Sequence, residues 1–499
     1  THHFIGSAPC MPARRELFSG RKNEFLWKFW GAVEPFDRLL PNEANSLGAV
    51  TALVTDHYHY WEPGTGVHGY HENYSFTNLI RGHEYDVASS EPLEDPEEFP
   101  NWVKAYLKWR PPVNLNAHYY RNVKHFKGEK DFHAPKVMQA ACDWLDRNHS
   151  HDKFFLHIES FDPHEPWYVP EPYRSMYGPY NENFTCWPPY QNGRLLKKFF
   201  EDASEEELLF VRNQYSGKVT MVDKWLGKIW DKMDQYNLWE NTCVIVTTDH
   251  GHALAEPNKK IKQYGKGHPI FEDVANIPLI IYHPEVEGNK KIDTTFSTIV
   301  DIRATILEVL GGKLDEEVLV DGKSLIPVLR NEVKTVRDYV ICGIYGAGVN
   351  LTTWDYTYIR GFNINKPLFY YSSSYPLMLS PGTLTRFSEI FGQKLSYDKT
   401  EELIQSFAKQ IESGHFIPGV KIPQWKIPAP VFLAMGGGRS KVNKQNYLFD
   451  RKKDPNFQNN LAGTPETEEL EKKILAKLIE ILKKEGCPPE QYKRLMLNV

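Results

Sequence analysis

The sequence predicts an α/β fold in which a mixed, mostly parallel sheet is sandwiched by helices, joined to a smaller C-terminal α+β domain that carries an antiparallel sheet. Three observations predict it: apolar, β-branched runs that end in polar clusters, amphipathic helical stretches that alternate with them, and a change beyond about residue 335 to short strand-like pieces. The 499 residues, 41 % of them hydrophobic, suffice for two or three domains of roughly 100–200 residues each. Residues 1–335 are assigned to the larger domain and 336–499 to the smaller.

Three runs read as buried strands: AVTALVTDHYHYW from Ala49, KFFLHIESFDPHEPW from Lys153 and CVIVTTDHGH from Cys243. Each ends in histidines or aspartates. Open α/β sheets bind ligands at the carboxyl ends of their strands, so these clusters are expected to converge. Helices are predicted over Pro135–Asn148, Glu205–Met233 and Ser297–Gly312, the last closed by glycines. Further on, Asp338–Gly346, Thr352–Gly361 and Gln445–Gly463 hold strand-like pieces. Between them, 365–438 is rich in proline, glycine and aromatics, with a helical pattern near Lys399–Glu412, and reads as an insertion, a lid or a contact surface. In the last helix Thr464 suits a cap and Pro465 the first turn, Leu470, Ile474, Leu478 and Leu482 make one apolar face, and Gly486 is a stop.

Fifty-nine basic against sixty-four acidic residues leave a net charge of −5, which excludes a global field attracting nucleic acid or a membrane surface. No apolar run reaches the length of a membrane-spanning helix. Six cysteines (Cys10, Cys142, Cys186, Cys243, Cys342 and Cys487) lie far apart with no CxxC pair, which argues against a disulfide framework or a zinc knuckle. Any anion site must therefore be local. The compartment is left open, with the cytoplasm as the expectation.

Such a local site is suggested by SAPCMPARRELFSGR, Ser7–Arg21. A helix starting near Pro12 puts Cys10 beside its N-terminus, where free N–H groups and the macrodipole favour negative charge, with Arg14 four residues on. From position alone two readings stand: a nucleophilic thiol of depressed pKa, or a buried structural cysteine near surface arginines.

The core Cys10-Met11-Pro12-Ala13-Arg14, with Leu17 and Gly20, resembles the Cys-x-Pro-x-Arg signature of type I sulfatases of the alkaline phosphatase superfamily, with Ala13 where that family usually has serine. VTTDHGH resembles its late metal motif, GKGHPIFEDVANIPLII its sulfate-contacting lysine segment, and FDPHEPW its His-rich substrate loop. TIVDIRATILEVLG and YLFDRKKDPNFQNNLA resemble its helix after the core and its C-terminal strand and turn, all in the family's order. The resemblance implies an alkaline-phosphatase-like fold and sulfate monoester hydrolysis through a formylglycine made from Cys10 by a formylglycine-generating enzyme. It also implies a divalent metal held by Asp249, His250 and the converted Cys10: calcium, with magnesium or manganese as alternatives. Arg14 would stabilise the nucleophile, Lys266 and His57 would flank the sulfate, His164 would protonate the leaving oxygen, and His59 would serve as base.

There are departures. His57-Tyr58-His59 stands where the family usually has Lys-x-His, and Asn276 where arginine is often found. The family's first strand ends in metal-binding aspartates, and none precedes Cys10; either an upstream stretch supplies them or part of the metal site is lacking. Alternative readings are a phosphonate monoester or phosphodiester hydrolase of the same superfamily, or a non-catalytic anion- or glycan-binding relative. The expected substrate is a sulfated carbohydrate or aryl ester. Tyr70, Arg81 and His83, in the aromatic and polar run 64–86, are candidates for contacting it, an ordinary surface loop being the other reading.

Overall fold

A computed structural model describes residues 2–62, 65–109, 113–190, 193–257, 259–261, 263–288, 290–313, 321–390, 394–430, 433 and 444–498. Two compact units emerge: Thr1–Glu43, Pro63–Tyr70 and Cys243–Val499 form the first, Ala44–Glu62 and His71–Thr242 the second. Residues on both sides of 335 fall in the first unit.

The reason is a long-range strand pairing. A five-stranded sheet runs in the order Tyr447–Asp450, Tyr356–Arg360, Val349–Thr352, Val340–Ile344 and Ser7–Ala8, antiparallel except for its last, parallel pair. Gly343 and Ile344 stand opposite Ser7 and Ala8, so the C-terminal sheet is built together with the segment that leads into Cys10. Gly343 leaves room for Phe25, whose ring a Cβ there would meet at 2.6 Å. Followed by the short helix Pro489–Arg494, the helix Glu468–Lys484 buries Leu478, Ile481 and Leu482 in the same core as Ile344, Leu351 and Leu448. Each such side chain contributes about 1.5–3 kcal/mol. It begins later than predicted, because Pro465–Thr467 form a 3-10 turn first, and Gly486 ends it at a φ of 67°.

His2–Phe4 pairs in parallel with Phe296–Thr298, which runs into the helix Ile299–Val309. There the Thr298 N–H donates to the Asp301 carboxylate at 2.8 Å, a capping contact. Val244–Thr247 pairs antiparallel with Leu279–Tyr282 and delivers Asp249 and His250 from its carboxyl end. Within the expected insertion, Phe369–Ser372, Gln424–Pro428 and Glu412–Gly414 make a small antiparallel sheet beside the helices Pro381–Ile390 and Tyr397–Ala408. Its parts at 391–393, 431–432 and 434–438 lie outside the described residues.

The second unit is built on three parallel strands, with Val50–Thr55 between Phe76–Leu79 and Phe154–Glu159. Helix His133–Asn148 buries Val137, Met138, Ala141, Trp144 and Leu145, the 3.6-residue pattern expected of a helix packed on one side. It lies against the helix Glu205–Gln235, which Ser204 caps by accepting the Glu207 N–H at 3.1 Å. Thr55 stands opposite Glu159, so both chains leave the sheet at the same edge, bringing Asp56–His59 beside Ser160–Glu165. No helix among the described residues is long and apolar enough to cross a membrane.

Helix Cys10–Ser19 carries a buried carboxyl group with a measurable consequence. Glu16 is fully buried and accepts a 2.5 Å hydrogen bond from Ser7 Oγ, while burial, with Glu24 nearby, pushes its pKa up to about 8. The fold therefore favours the protonated acid. Stability from this group is complete below the unfolded value of about 4.5 and is lost as pH rises toward about 8. Glu16→Gln is expected to remove that loss, so that its melting temperature relative to wild type climbs between about pH 5 and pH 8. A constant offset across that range would refute the assignment.

Candidate active site

In the first unit Cys10 opens its helix and is buried, with Pro9 at the cap position. Its Sγ lies 3.3 Å from His250 Nε2 and 3.8 Å from Lys266 Nζ. Arg14, one turn along the helix, donates through Nη1 to the Cys10 carbonyl at 3.2 Å and to Asp249 Oδ2. Asp249 Oδ1 accepts the His250 N–H at 2.9 Å. Cys10, Arg14, Asp249, His250 and Lys266 are thus gathered around one point.

Glycine is required in the turn that carries Asp249 and His250. Gly251 donates to the Val274 carbonyl at 2.9 Å, and a Cβ at 251 would lie 1.9 Å from the Asp273 carbonyl oxygen. The Asp-His-Gly order is thus a packing requirement as well as a chemical one.

The protonation pattern follows from the contacts. His250 Nδ1 sits 2.8 Å from the Gly251 carbonyl and must donate to it, leaving the Nε2 lone pair directed at Sγ. Burial lowers the His250 pKa, with Lys266 and Arg14 adding to the effect against Asp249, so the ring is neutral at pH 7. For Asp249 burial opposes ionisation, but His250, protonated at the low pH where this carboxyl titrates, together with Arg14 and Lys266 outweighs it and holds the carboxyl well below the usual range. Sγ, the Asp249 carboxylate and the His250 imidazole offer ligand atoms within 4.8 Å of one another. An ionised carboxylate beside a neutral imidazole whose other nitrogen is fixed by a carbonyl is a donor set that fits a divalent cation.

The second unit gathers the histidines of two strand ends. His57 is fully buried, and its ring centroid lies 5.0 Å from His59 and 4.7 Å from Phe161. Phe161 is the hub: it stacks on His164 at 4.0 Å and meets His59 at 5.5 Å and His83 at 4.8 Å. Its N–H is fixed by Asp56 Oδ1 at 2.5 Å. His164 Nδ1 is held by the Glu165 carbonyl at 2.6 Å, with the Glu165 and Glu84 carboxylates at 3.4 and 3.9 Å; His59 Nδ1 is held by Glu62 at 2.9 Å. In both rings the contact at Nδ1 fixes the orientation of the imidazole. Two of the three strand-end clusters come together here, while that of Asp249 belongs to the first unit.

Two substrate-contact candidates are buried. Tyr70 is 1 % exposed with its hydroxyl donating to the Gly31 carbonyl, and His83 is 0 % exposed and hydrogen-bonded to Asp162 at 2.7 Å. Both are interior residues, in different units, each held by a hydrogen bond inside its own packing. Arg81 is half exposed, stacks over Trp61 and pairs in two contacts with Asp86. Reading by motif missed Phe161, Asp162 and Lys218; a lysine on the buried side of the Glu205–Gln235 helix was the available signal.

The sulfatase family profile matches residues 1–312. The chain is 24 % identical over 331 residues to arylsulfatase K of Xenopus laevis, covering 58 % of this chain and 59 % of that protein. It spans 37 to 59 % of the length of the first curated relatives it matches. Two solved structures share its fold at 15 % identity. Phosphonate monoester hydrolase SpPMH from Silicibacter pomeroyi has a TM-score of 0.61 over 97 % of this chain and 88 % of that one. BT4656 in complex with its substrate D-glucosamine-2-N,6-O-disulfate has a TM-score of 0.58 over 99 % and 92 %.

Proposed function

The chain belongs to the sulfatase family, and from that premise we propose that it hydrolyses a sulfate monoester with Cys10 as the source of the nucleophile. The observation that carries this reading is the cluster at residue 10, at a helix N-terminus: His250 and Lys266 face the Cys10 sulfur, while Arg14 joins the Cys10 carbonyl to the ionised Asp249 carboxylate. Conversion of Cys10 by a formylglycine-generating enzyme would supply a hydrated aldehyde, whose oxygen is the nucleophile. Asp249 and His250 would hold a divalent ion, calcium in this reading, with magnesium or manganese as alternatives; it would supply Lewis-acid polarisation and lower the pKa of a bound oxygen.

The chain's own groups do the rest. Arg14 spans the Cys10 carbonyl and Asp249, so its guanidinium is fixed where negative charge develops at residue 10. Lys266 offers a buried ammonium to an oxygen of the anionic ester. His57 is assigned to the sulfate as the replacement for the family's usual lysine. His164 delivers a proton to the leaving oxygen through Nε2, and His59, oriented by Glu62, accepts one through its own Nε2. For the alcohol we propose a sulfated carbohydrate or an aryl alcohol, the disulfated glucosamine of the fold neighbour being one example of the class.

Likeness to a phosphonate monoester hydrolase favours one second reading, hydrolysis of a phosphonate monoester. Side-by-side turnover of an aryl sulfate and the matching aryl phosphonate monoester separates the two: the sulfate is expected to give the higher kcat/KM, and the reverse order would replace the primary reading. His164→Ala is expected to lower kcat by about 10²–10⁴ on a sulfate ester with a poor leaving group, without abolishing turnover. Unchanged kcat would remove His164 from the mechanism.

A further inference from the structure

We propose that Lys218 is the positioning residue for His164, stapling the loop that carries it; the inference rests on the proton-donor role given to His164 above. Lys218 lies in the Glu205–Gln235 helix with its side chain 2 % exposed. An ammonium has three N–H donors and no acceptor. Here the three acceptors all belong to one short loop: the His164 carbonyl at 2.9 Å, the Pro166 carbonyl at 2.7 Å and Asp162 Oδ1 at 2.5 Å.

The loop needs such a clamp. Pro163 and Pro166 have no N–H to give, and Phe161–Trp167 forms neither helix nor strand, so its carbonyls must find donors elsewhere. Trp167 Nε1 serves the Pro163 carbonyl at 2.9 Å, and Lys218 serves those of His164 and Pro166. Asp162 Oδ1 is shared with His83 Nε2 at 2.7 Å, and Oδ2 accepts the Ala134 N–H at 3.3 Å, so the clamp is tied to the His133–Asn148 helix as well. Gly217 lets the long helix come close: a Cβ there would lie 2.4 Å from the Tyr173 carbonyl oxygen. One turn earlier, Gln214 Nε2 donates to the Arg174 carbonyl at 2.8 Å.

The His164 ring takes its orientation from this backbone. It is fixed by stacking on Phe161, three residues back, and by the Glu165 carbonyl, one residue on. Loss of the ammonium would release carbonyls 164 and 166 together and leave Asp162 a buried charge short of a partner. A displacement of about 1 Å in a proton donor is enough to cost roughly 10²-fold in rate.

The test is the dependence on leaving group. Lys218→Met, full-length and mature, should lose about 10–100-fold in kcat on an alkyl or sugar sulfate, and much less on a nitrophenyl sulfate whose phenolate leaves unprotonated. KM should move little. In a His164→Ala background the same substitution should cost nothing further. Equal loss on both substrates, or additive loss with His164→Ala, would overturn the proposal and make Lys218 a purely structural residue. Should Lys218→Met not fold, Lys218→Gln and Lys218→Arg, which keep N–H donors, are expected to show the same leaving-group pattern in weaker form; failure of all three to fold would equally overturn it. If His164→Ala itself shows no leaving-group dependence, the proton-donor reading fails, a result distinct from failure at Lys218.

Discussion

Cys10→Ala is expected to lose aryl sulfate turnover by roughly 10⁵-fold or more, because removal of a nucleophile leaves only binding and electrostatic terms. The loss should not be one of folding. Cys10 is buried at the first position of its helix, and the helix is held independently by Arg15 on Glu24 and Asp37 and by Ser7 on Glu16. Removing Sγ takes away one atom and no strong hydrogen bond; alanine is tolerated at a helix start. A cooperative melt close to wild type with abolished turnover is the expected pair of results. Appreciable residual turnover would mean that another group attacks sulfur.

Asp249→Asn is expected to have the second-largest effect, through metal and arginine together. The carboxylate meets Arg14, the His250 N–H and the His250 ring, and in the proposed site its charge would hold a divalent ion. Asparagine keeps the shape and loses the charge. Metal analysis of the purified variant should show its divalent ion lost, and kcat should fall by roughly 10³-fold, the several kcal/mol that Lewis-acid stabilisation supplies. Arg14, 8 % exposed at its side chain, also loses an ionic partner, a change worth on the order of 3 kcal/mol in stability. Retention of the metal at wild-type stoichiometry would move the metal site elsewhere.

Local chemistry was legible in the sequence. The strands Val50–Thr55, Phe154–Glu159 and Val244–Thr247 lie where β-branched runs ended in histidine or aspartate, because a buried strand must stop where its polar residues begin. The Cys10 helix and the gathering of Arg14, Asp249, His250 and Lys266 followed from short motifs. What was illegible depended on distant pairing or on burial. Nothing local marks Ser7–Ala8 as the edge of a sheet made from residues 340–450, a union of segments more than 300 residues apart. The burial of Tyr70 and His83 was not legible either, because polar aromatics serve surfaces and interiors alike, and only packing decides between them. Lys218 was hidden in a helix whose other lysines are solvated, and its role appears only once the loop's carbonyls are accounted for.

The most direct test of the central claim is the mass of the peptide spanning Cys10, taken from full-length protein purified from its own host and active on an aryl sulfate. The aldehyde is expected at residue 10 in the active fraction. An unmodified thiol there, in a preparation that still hydrolyses the ester, would contradict it.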